Sequence, residues 1–278
     1  MNEERYIEIF SEFETMLRIG TEISANLAGT FQHEAHLSYA DSIYTKLLCH
    51  AISLRKLSPQ LGIQSEFEIW DLPSACSIAR CIIEAHDVLG YIVFSKLSPE
   101  EREFRLLLWR LHDQQRRSKI LVAIKSADTR SQEIHSQAHI LTNEVIAHSF
   151  FLKLPKNLQN KIKAEDSPAF LLSQRELNKA NEINQEYHTS TTMWLSQYVH
   201  TFPMSLHQLN TFQAGTIEAL HLSTLPIQYT LGFFARAISK MAETFFEADI
   251  DLNPEEKALL SKWCFLVKIG VTEVEYPT

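Results

Sequence analysis

A narrow polar stripe on one predicted helix is the arrangement in this sequence most capable of chemistry. At 100° per residue the stripe spans an arc of about 80°, and its members are Ser77, Arg80, Glu84, Asp87 and Tyr91. Most other positions between residues 72 and 95 are apolar, which is typical of a buried helix. Buried charges are costly unless they are paired. We therefore expect a polar constellation inside a helical core.

The stripe has a functional and a structural interpretation. Arg80 and Glu84 lie four residues apart and can pair along the helix. In the functional interpretation Arg80 binds an anion, Glu84 orients it or moves a proton, and Asp87 and Tyr91 support them. In the structural interpretation the same row is an ion-pair ladder that fixes the packing of the helix, or a strip that faces solvent. The sequence leaves these interpretations open.

A second candidate lies at the end of a later predicted helix. Ser196 and His200 are four residues apart beside an apolar stripe that includes Tyr198, and Pro203 ends the helix. A histidine can act as an acid or base near neutral pH. We therefore take His200 as a candidate catalytic residue, with Ser196 and Tyr198 as supporting residues. The alternative is structural, because a histidine in the last turn of a helix interacts favourably with its dipole.

One predicted helix is strongly basic although the chain as a whole is acidic. Arg105 and His112 are seven residues apart, so two turns return them to one face, and Arg116 joins that face one turn later. Arginine side chains can bind phosphate with two parallel hydrogen bonds. The helix therefore predicts a local patch for RNA or a phosphate group, and a charged outer face is the alternative.

Metal-dependent chemistry has weaker support. The dipeptides His86-Asp87 and His112-Asp113 resemble those of HD-type phosphohydrolases. Those enzymes also need a further upstream histidine and a downstream aspartate that converge on the metal, and no residue here has convincing spacing. We predict no metal ligands and no cofactor, and keep HD chemistry as a second alternative.

Composition narrows the classes of protein to consider. The net charge of −8 over 278 residues provides no global basic field for nucleic acid. The four cysteines lie singly in apolar segments, which predicts reduced core thiols. The polar start of the sequence predicts no secretory signal, and no apolar run reaches the ~18 residues of a membrane span. We expect a cytoplasmic protein with no membrane partner.

An all-α fold is predicted by the small number of glycines, the sparse prolines and the recognisable N-cap motifs at helix starts. Ser98-Pro99 and Asn253-Pro254, each followed by two glutamates, combine an N-cap, a first-turn proline and an acidic first turn. We predict an all-α multi-helix bundle with long antiparallel helices, forming a single domain over residues 1–278 with an irregular excursion at 153–174. The predicted helices cover residues 3–28, 35–57, 72–95, 99–126, 129–153, 155–163, 173–185, 189–201, 205–221, 225–248 and 254–268.

Two of these segments together resemble a bacterial all-helical family of unknown function. In that family a mid-chain helix carries Arg-x-x-x-Glu, matched here by Arg80 and Glu84, and a later helix ends in Ser-x-x-x-His, matched by Ser196 and His200. The resemblance spans roughly residues 40–241. The family is similar in helical content to HEPN-type proteins, many of which are toxins or phage-defence effectors.

Three functions remain open at this point, and the sequence does not decide whether the chain is an enzyme. The first is a HEPN-like, metal-free ribonuclease or a nucleotide-directed effector of bacterial stress or phage defence. In it Arg80 binds phosphate, Glu84 orients it and His200 is the acid or base. The second is a non-catalytic helical interaction or scaffolding module. The third is the HD-type phosphohydrolase. Expected partners are RNA or a nucleotide at the basic patch, and a second copy in a homo-oligomer.

Overall fold

The computed structural model describes residues 2–30, 32–61, 70–246 and 251–271. Over these residues the chain forms only helices and connecting segments, with no strand, so the predicted all-α multi-helix class is confirmed. None of the described helices combines the length and apolar character that a membrane crossing requires. The elements are α1 (Glu3–Leu27), α2 (Ser38–Leu57), α3 (Leu72–Leu89), a π-helical turn (Gly90–Phe94), α4 (Pro99–Ala123), α5 (Thr129–Ala147), a 3₁₀ helix (Ser149–Lys153), α6 (Lys156–Lys163), α7 (Gln174–Ala180), α8 (Gln185–Val199), α9 (Pro203–Thr211), α10 (Ile217–Phe245) and α11 (Pro254–Ile269).

The chain divides into two compact units. We call residues 1–94 together with 175–278 the terminal unit, and residues 95–174 the middle unit. The single domain expected from the sequence stays a prediction. The expected irregular excursion at 153–174 contains one helix, α6, followed by residues 164–173 without a helix.

Helix α10 is the centre of the terminal unit. It packs against α1, α3 and α11, while α3 also packs against α2 and α8. The middle of α10 is apolar on every side, and Leu231, Phe233 and Phe234 are fully buried. Gly232 allows close packing there, because a Cβ atom at that position would lie 2.5 Å from Cβ of Val267 on α11.

The predicted helix boundaries are wrong around Pro226. The sequence predicts helices at 205–221 and 225–248, but α9 ends at Thr211 and α10 runs without a break from Ile217 to Phe245. Pro226 lies inside α10 and is buried. A proline removes one backbone hydrogen bond of a helix. Burial of α10 on both sides of Pro226 gives the packing that keeps the helix continuous.

The middle unit is built on α4 and α5, which pack against one another. The 3₁₀ helix contacts both of them, and α6 packs on α5. The unit has a hydrophobic cluster of its own, formed by Phe104, Leu108, Leu111, Leu141, Val145, Phe151, Leu154 and Ile162.

Candidate functional site

The Arg80–Glu84 pair predicted on α3 is present, and it lies at the surface. Nε of Arg80 donates to Oε1 of Glu84 over 3.0 Å. The side chains are 31% and 61% exposed, respectively. The expectation that this pair is buried is therefore wrong, because the partners of α3 leave this side of the helix uncovered. A solvated pair of this kind contributes little to stability.

The other end of the stripe is buried and includes Asp87. This carboxylate lies between two histidine rings of the terminal unit: Oδ1 is 3.2 Å from Nδ1 of His86, and Oδ2 is 3.3 Å from Nε2 of His188. His86 precedes Asp87 on α3, whereas His188 lies on α8. All three residues are buried. The cluster therefore ties α3 to α8 through a polar contact closed to solvent.

The lowered pKa of Asp87 shows which atoms donate the hydrogen bonds in this cluster. Burial alone would raise the pKa of Asp87, but hydrogen bonds from His188 and His86 outweigh burial and hold that pKa well below its ordinary value. An ionised carboxylate only accepts hydrogen bonds, so Nδ1 of His86 and Nε2 of His188 carry the protons. The ring of Phe233 makes T-shaped contacts with both imidazoles, at centroid distances of 5.4 Å from His86 and 5.9 Å from His188.

His188 is absent from the predicted site because the predicted start of α8 is too late. The predicted helix covers 189–201, whereas Asn184 caps α8 and the helix begins at Gln185. The signal was present in the sequence, since asparagine is a favoured N-cap residue. With the correct start, His188 lies in the first turn of α8. Tyr91, also in the predicted stripe, is fully buried in the π-helical turn after α3.

His200 is not joined to the α3 stripe. It is the C-cap residue of α8, and its backbone N–H donates to the carbonyl oxygen of Ser196. Its side chain is exposed, and no hydrogen bond or ion pair within the described ranges links it to Arg80 or Glu84. Tyr198 donates its hydroxyl proton to Oε1 of Gln208, and burial raises the pKa of that phenol.

Two of the three residues predicted to form a phosphate-binding face on α4, Arg105 and His112, have protein partners in the middle unit. Arg105 is buried and donates to Oε1 of Glu101 through Nε at 3.0 Å and Nη2 at 2.6 Å. Nδ1 of His112 lies 2.7 Å from the carbonyl oxygen of Ser167. Arg116 is exposed. Buried Arg105 therefore fits neither the predicted phosphate-binding face nor the alternative of a charged outer face, and Arg116 stays a prediction for either.

Metal ligation and thiol chemistry have no geometric support in the described part of the chain. It contains no group of three or more His, Cys, Asp and Glu side chains arranged to hold a metal ion. The cysteines are free, and burial raises the pKa of the thiols of Cys76, Cys81 and Cys264. Raised thiol pKa values reduce nucleophilic character at neutral pH.

Four exposed apolar side chains lie around the start of α9, and the sequence did not predict their exposure. We define the α9 surface as Val199, Phe202, Met204 and Leu206, whose exposed fractions are 42, 46, 37 and 46%. These residues belong to a run of 31 residues, 187–217, that contains no Asp, Glu, Lys or Arg, although 22% of the chain is charged.

Comparison of the chain with protein-family models, curated proteins and solved structures found no match. The bacterial family and its HEPN-like character therefore stay predictions.

Proposed function

We propose that this chain is a non-catalytic helical interaction module. The observation that carries the proposal is the α9 surface, where four apolar side chains are exposed within a run of residues that has no charge. Aromatic residues and methionine are enriched in protein interfaces, whereas lysine, glutamate and aspartate are depleted. Phe202 and Met204 fit this composition.

The arrangement of the polar groups supports binding over catalysis. Arg80 and Glu84 satisfy one another at the surface, and the cluster of His86, Asp87 and His188 is enclosed. A general acid or base must come within hydrogen-bonding reach of its substrate. The enclosed cluster is shielded from an external substrate and serves to fix α3 against α8.

A second candidate function is the HEPN-like ribonuclease or nucleotide-directed effector of bacterial stress or phage defence. The charge of the middle unit favours it, because residues 95–174 contain 13 Lys and Arg against 9 Asp and Glu, a net charge of +4. In this function Arg116 contacts phosphate on the middle unit. No observation favours the HD-type phosphohydrolase.

We also propose a cytoplasmic location, which agrees with four free cysteines.

An activity assay with paired histidine variants tests the interaction module. Wild-type protein is incubated with single-stranded and structured RNA and with nucleoside triphosphates, with and without Mg²⁺ or Mn²⁺, and products are separated by electrophoresis or chromatography. We expect no turnover, and no rise in melting temperature with inorganic phosphate or nucleotides.

His200→Ala is compared with His207→Ala, a matched control because both histidines are exposed near the start of α9. RNA or nucleotide cleavage that is lost in His200→Ala, retained in His207→Ala and accompanied by an unchanged melting temperature would overturn the proposal in favour of the effector. A catalytic acid or base contributes roughly 10²–10⁴-fold to a rate, so such a loss is readily measured.

A further inference from the structure

We propose that the turn between α4 and α5 binds the surface of an anionic lipid bilayer. The inference goes beyond the proposed function, because it concerns the middle unit and does not involve the α9 surface. We define the α4–α5 tip as residues 116–130. The tip combines highly exposed aliphatic side chains at the end of α4 with cations on both sides of them along the chain.

The aliphatic side chains of the tip are those of Ile120, Val122 and Ile124, which are 59, 63 and 67% exposed. Ile120 and Ile124 are one helical turn apart, so their side chains are neighbours, whereas Val122 lies on nearly the opposite side of the helix. All three lie within about 6 Å along the helix axis. The end of α4 therefore presents one aliphatic surface that extends over more than one side of the helix.

Backbone hydrogen bonds define this end of α4. The N–H of Lys125 donates to the carbonyl oxygen of Val122, and the N–H of Ser126 donates to that of Leu121, at 3.0 and 2.9 Å. This pair of bonds is the Schellman arrangement, which satisfies the carbonyl groups at the end of a helix. The exposed aliphatic side chains therefore stand on a closed helical turn.

The charge around the aliphatic side chains is positive. The single acid of the tip is Asp128, the N-cap residue of α5. The exposed cations of the tip are Arg116, Arg117, Lys119, Lys125 and Arg130. Arg117 pairs with Asp113 and Lys119 with Asp166, both outside the tip. Five cations against these three acids leave a net charge of +2.

An anionic bilayer matches both properties of the tip. Lys and Arg close to a membrane are attracted by anionic lipid headgroups, while apolar side chains are buried at the boundary between headgroups and acyl chains. The long stems of Lys and Arg keep their charges among the headgroups when neighbouring aliphatic side chains enter the bilayer. The sequence predicts no membrane partner because it has no spanning segment, but a turn that enters only the interface needs none.

Other partners match only part of the tip. Single-stranded nucleic acid would use the cations, but its bases stack on aromatic side chains, and residues 116–130 contain none. A folded acidic protein covers one face of a helix, whereas the aliphatic side chains lie on opposite sides of α4. A fluid lipid surface adapts to both sides.

The test is cosedimentation of the full-length chain with vesicles of phosphatidylcholine alone or mixed with phosphatidylglycerol. We expect binding that increases with the proportion of phosphatidylglycerol and weakens with added salt. Ile124→Ser should weaken binding roughly tenfold. Ile140→Ser is the matched control, because Ile140 is 50% exposed on α5 and lies about three turns beyond the start of that helix. It should bind like the wild type.

Lys125→Gly separates binding from stability. Lys125 has a φ of 57°, a conformation that glycine adopts readily, so the substitution should raise the melting temperature or leave it unchanged. It also removes one cation from the tip and should weaken vesicle binding roughly fivefold. Unchanged binding in this variant would overturn the inference.

Circular dichroism establishes that each variant is folded, and Val122→Ser replaces Ile124→Ser if that variant does not fold. The inference is overturned if wild-type protein does not bind the anionic vesicles, or if Ile140→Ser weakens binding as much as Ile124→Ser does. Loss of vesicle binding in Phe202→Ser would assign the contact to the α9 surface and also overturn it. Binding to single-stranded RNA or to polyglutamate, without binding to vesicles, would overturn it in favour of nucleic acid or an acidic protein.

Discussion

At the scale of single residues, the Asp87 carboxylate accepts hydrogen bonds from histidines on α3 and α8. Because all three groups are buried, removal of the carboxylate leaves two N–H groups without that acceptor and away from water. A buried donor that loses its acceptor costs more than the net contribution of an ordinary hydrogen bond.

We expect Asp87→Ala to lower the free energy of unfolding by about 2–5 kcal/mol. Glu84→Ala is the control on the same helix, and it should change stability by less than about 1 kcal/mol because its pair with Arg80 is solvated. Urea denaturation at neutral pH measures both. Equal losses for the two variants would contradict the burial difference described for α3.

The lowered pKa of Asp87 makes the free energy of unfolding depend on pH. Because the folded-state pKa of Asp87 is lowered, its contribution is present above the unfolded-state pKa of about 4 and is lost as the pH falls through the folded-state value. We expect the stability difference between wild type and Asp87→Asn to shrink as the pH is lowered below about 4. Urea titrations at several acidic pH values measure it, and a difference that grows with acidity would contradict the assignment.

At the scale of elements, the contact between α10 and α11 depends on the absence of a side chain at Gly232. A Cβ atom there would lie 2.5 Å from Cβ of Val267, which is fixed to the backbone of α11. At Gly20 the nearest atom to a new Cβ would be the flexible end of Leu48, at 2.9 Å. The first clash requires two helices to separate, whereas the atoms close to Gly20, which also include Oη of Tyr44 at 3.0 Å, are all ends of side chains.

We therefore expect Gly232→Ala to destabilise the protein by about 1–3 kcal/mol, and by more than Gly20→Ala does. Thermal denaturation of the two variants measures the difference. The reverse order would mean that α10 and α11 are not held in the close contact described.

Local sequence signals predicted much of the helix pattern. Asn253 and Glu256 form the reciprocal capping interaction at the start of α11, and Ser98 caps α4 directly before Pro99. These starts are predictable because the groups that satisfy the first backbone N–H groups lie within four residues. The continuation of α10 through Pro226 was not predictable in this way, since it depends on packing against distant helices.

The candidate site was predicted less well for the same reason. Helical spacing placed Arg80, Glu84 and Asp87 on one stripe, but it could not show that Asp87 is buried while Glu84 faces water. That difference arises from which neighbours cover α3. His188 became part of the cluster through the packing of α8, which lies a hundred residues further along the chain.

At the scale of the whole molecule, the middle unit has its own hydrophobic cluster, drawn entirely from residues 104–162. Two polar contacts of its last segment are also internal, because Gln115 accepts from the backbone N–H of Ser167 and Lys119 pairs with Asp166. These contacts hold the segment after α6 against α4.

We expect a fragment of residues 95–174 to be helical and to melt cooperatively by circular dichroism. Leu108→Ala, in the centre of its cluster, should lower the melting temperature, whereas Ile120→Ala, at an exposed position, should not. A fragment that lacks helical structure would support the single domain expected from the sequence. A folded fragment would replace that expectation with two domains.

The position of the middle unit within the chain has a consequence for biosynthesis. A ribosome completes α1, α2 and α3 before it makes α10, against which both α1 and α3 pack. Roughly 150 residues separate the end of α3 from the end of α10, and at about 5–20 residues per second they take about 8–30 s to synthesise. During that interval α1 and α3 can pack on α2 but lack the cover that α10 gives them. We therefore expect the terminal unit to complete its folding only after α10 emerges, and transiently exposed apolar surface of this kind is what chaperones protect.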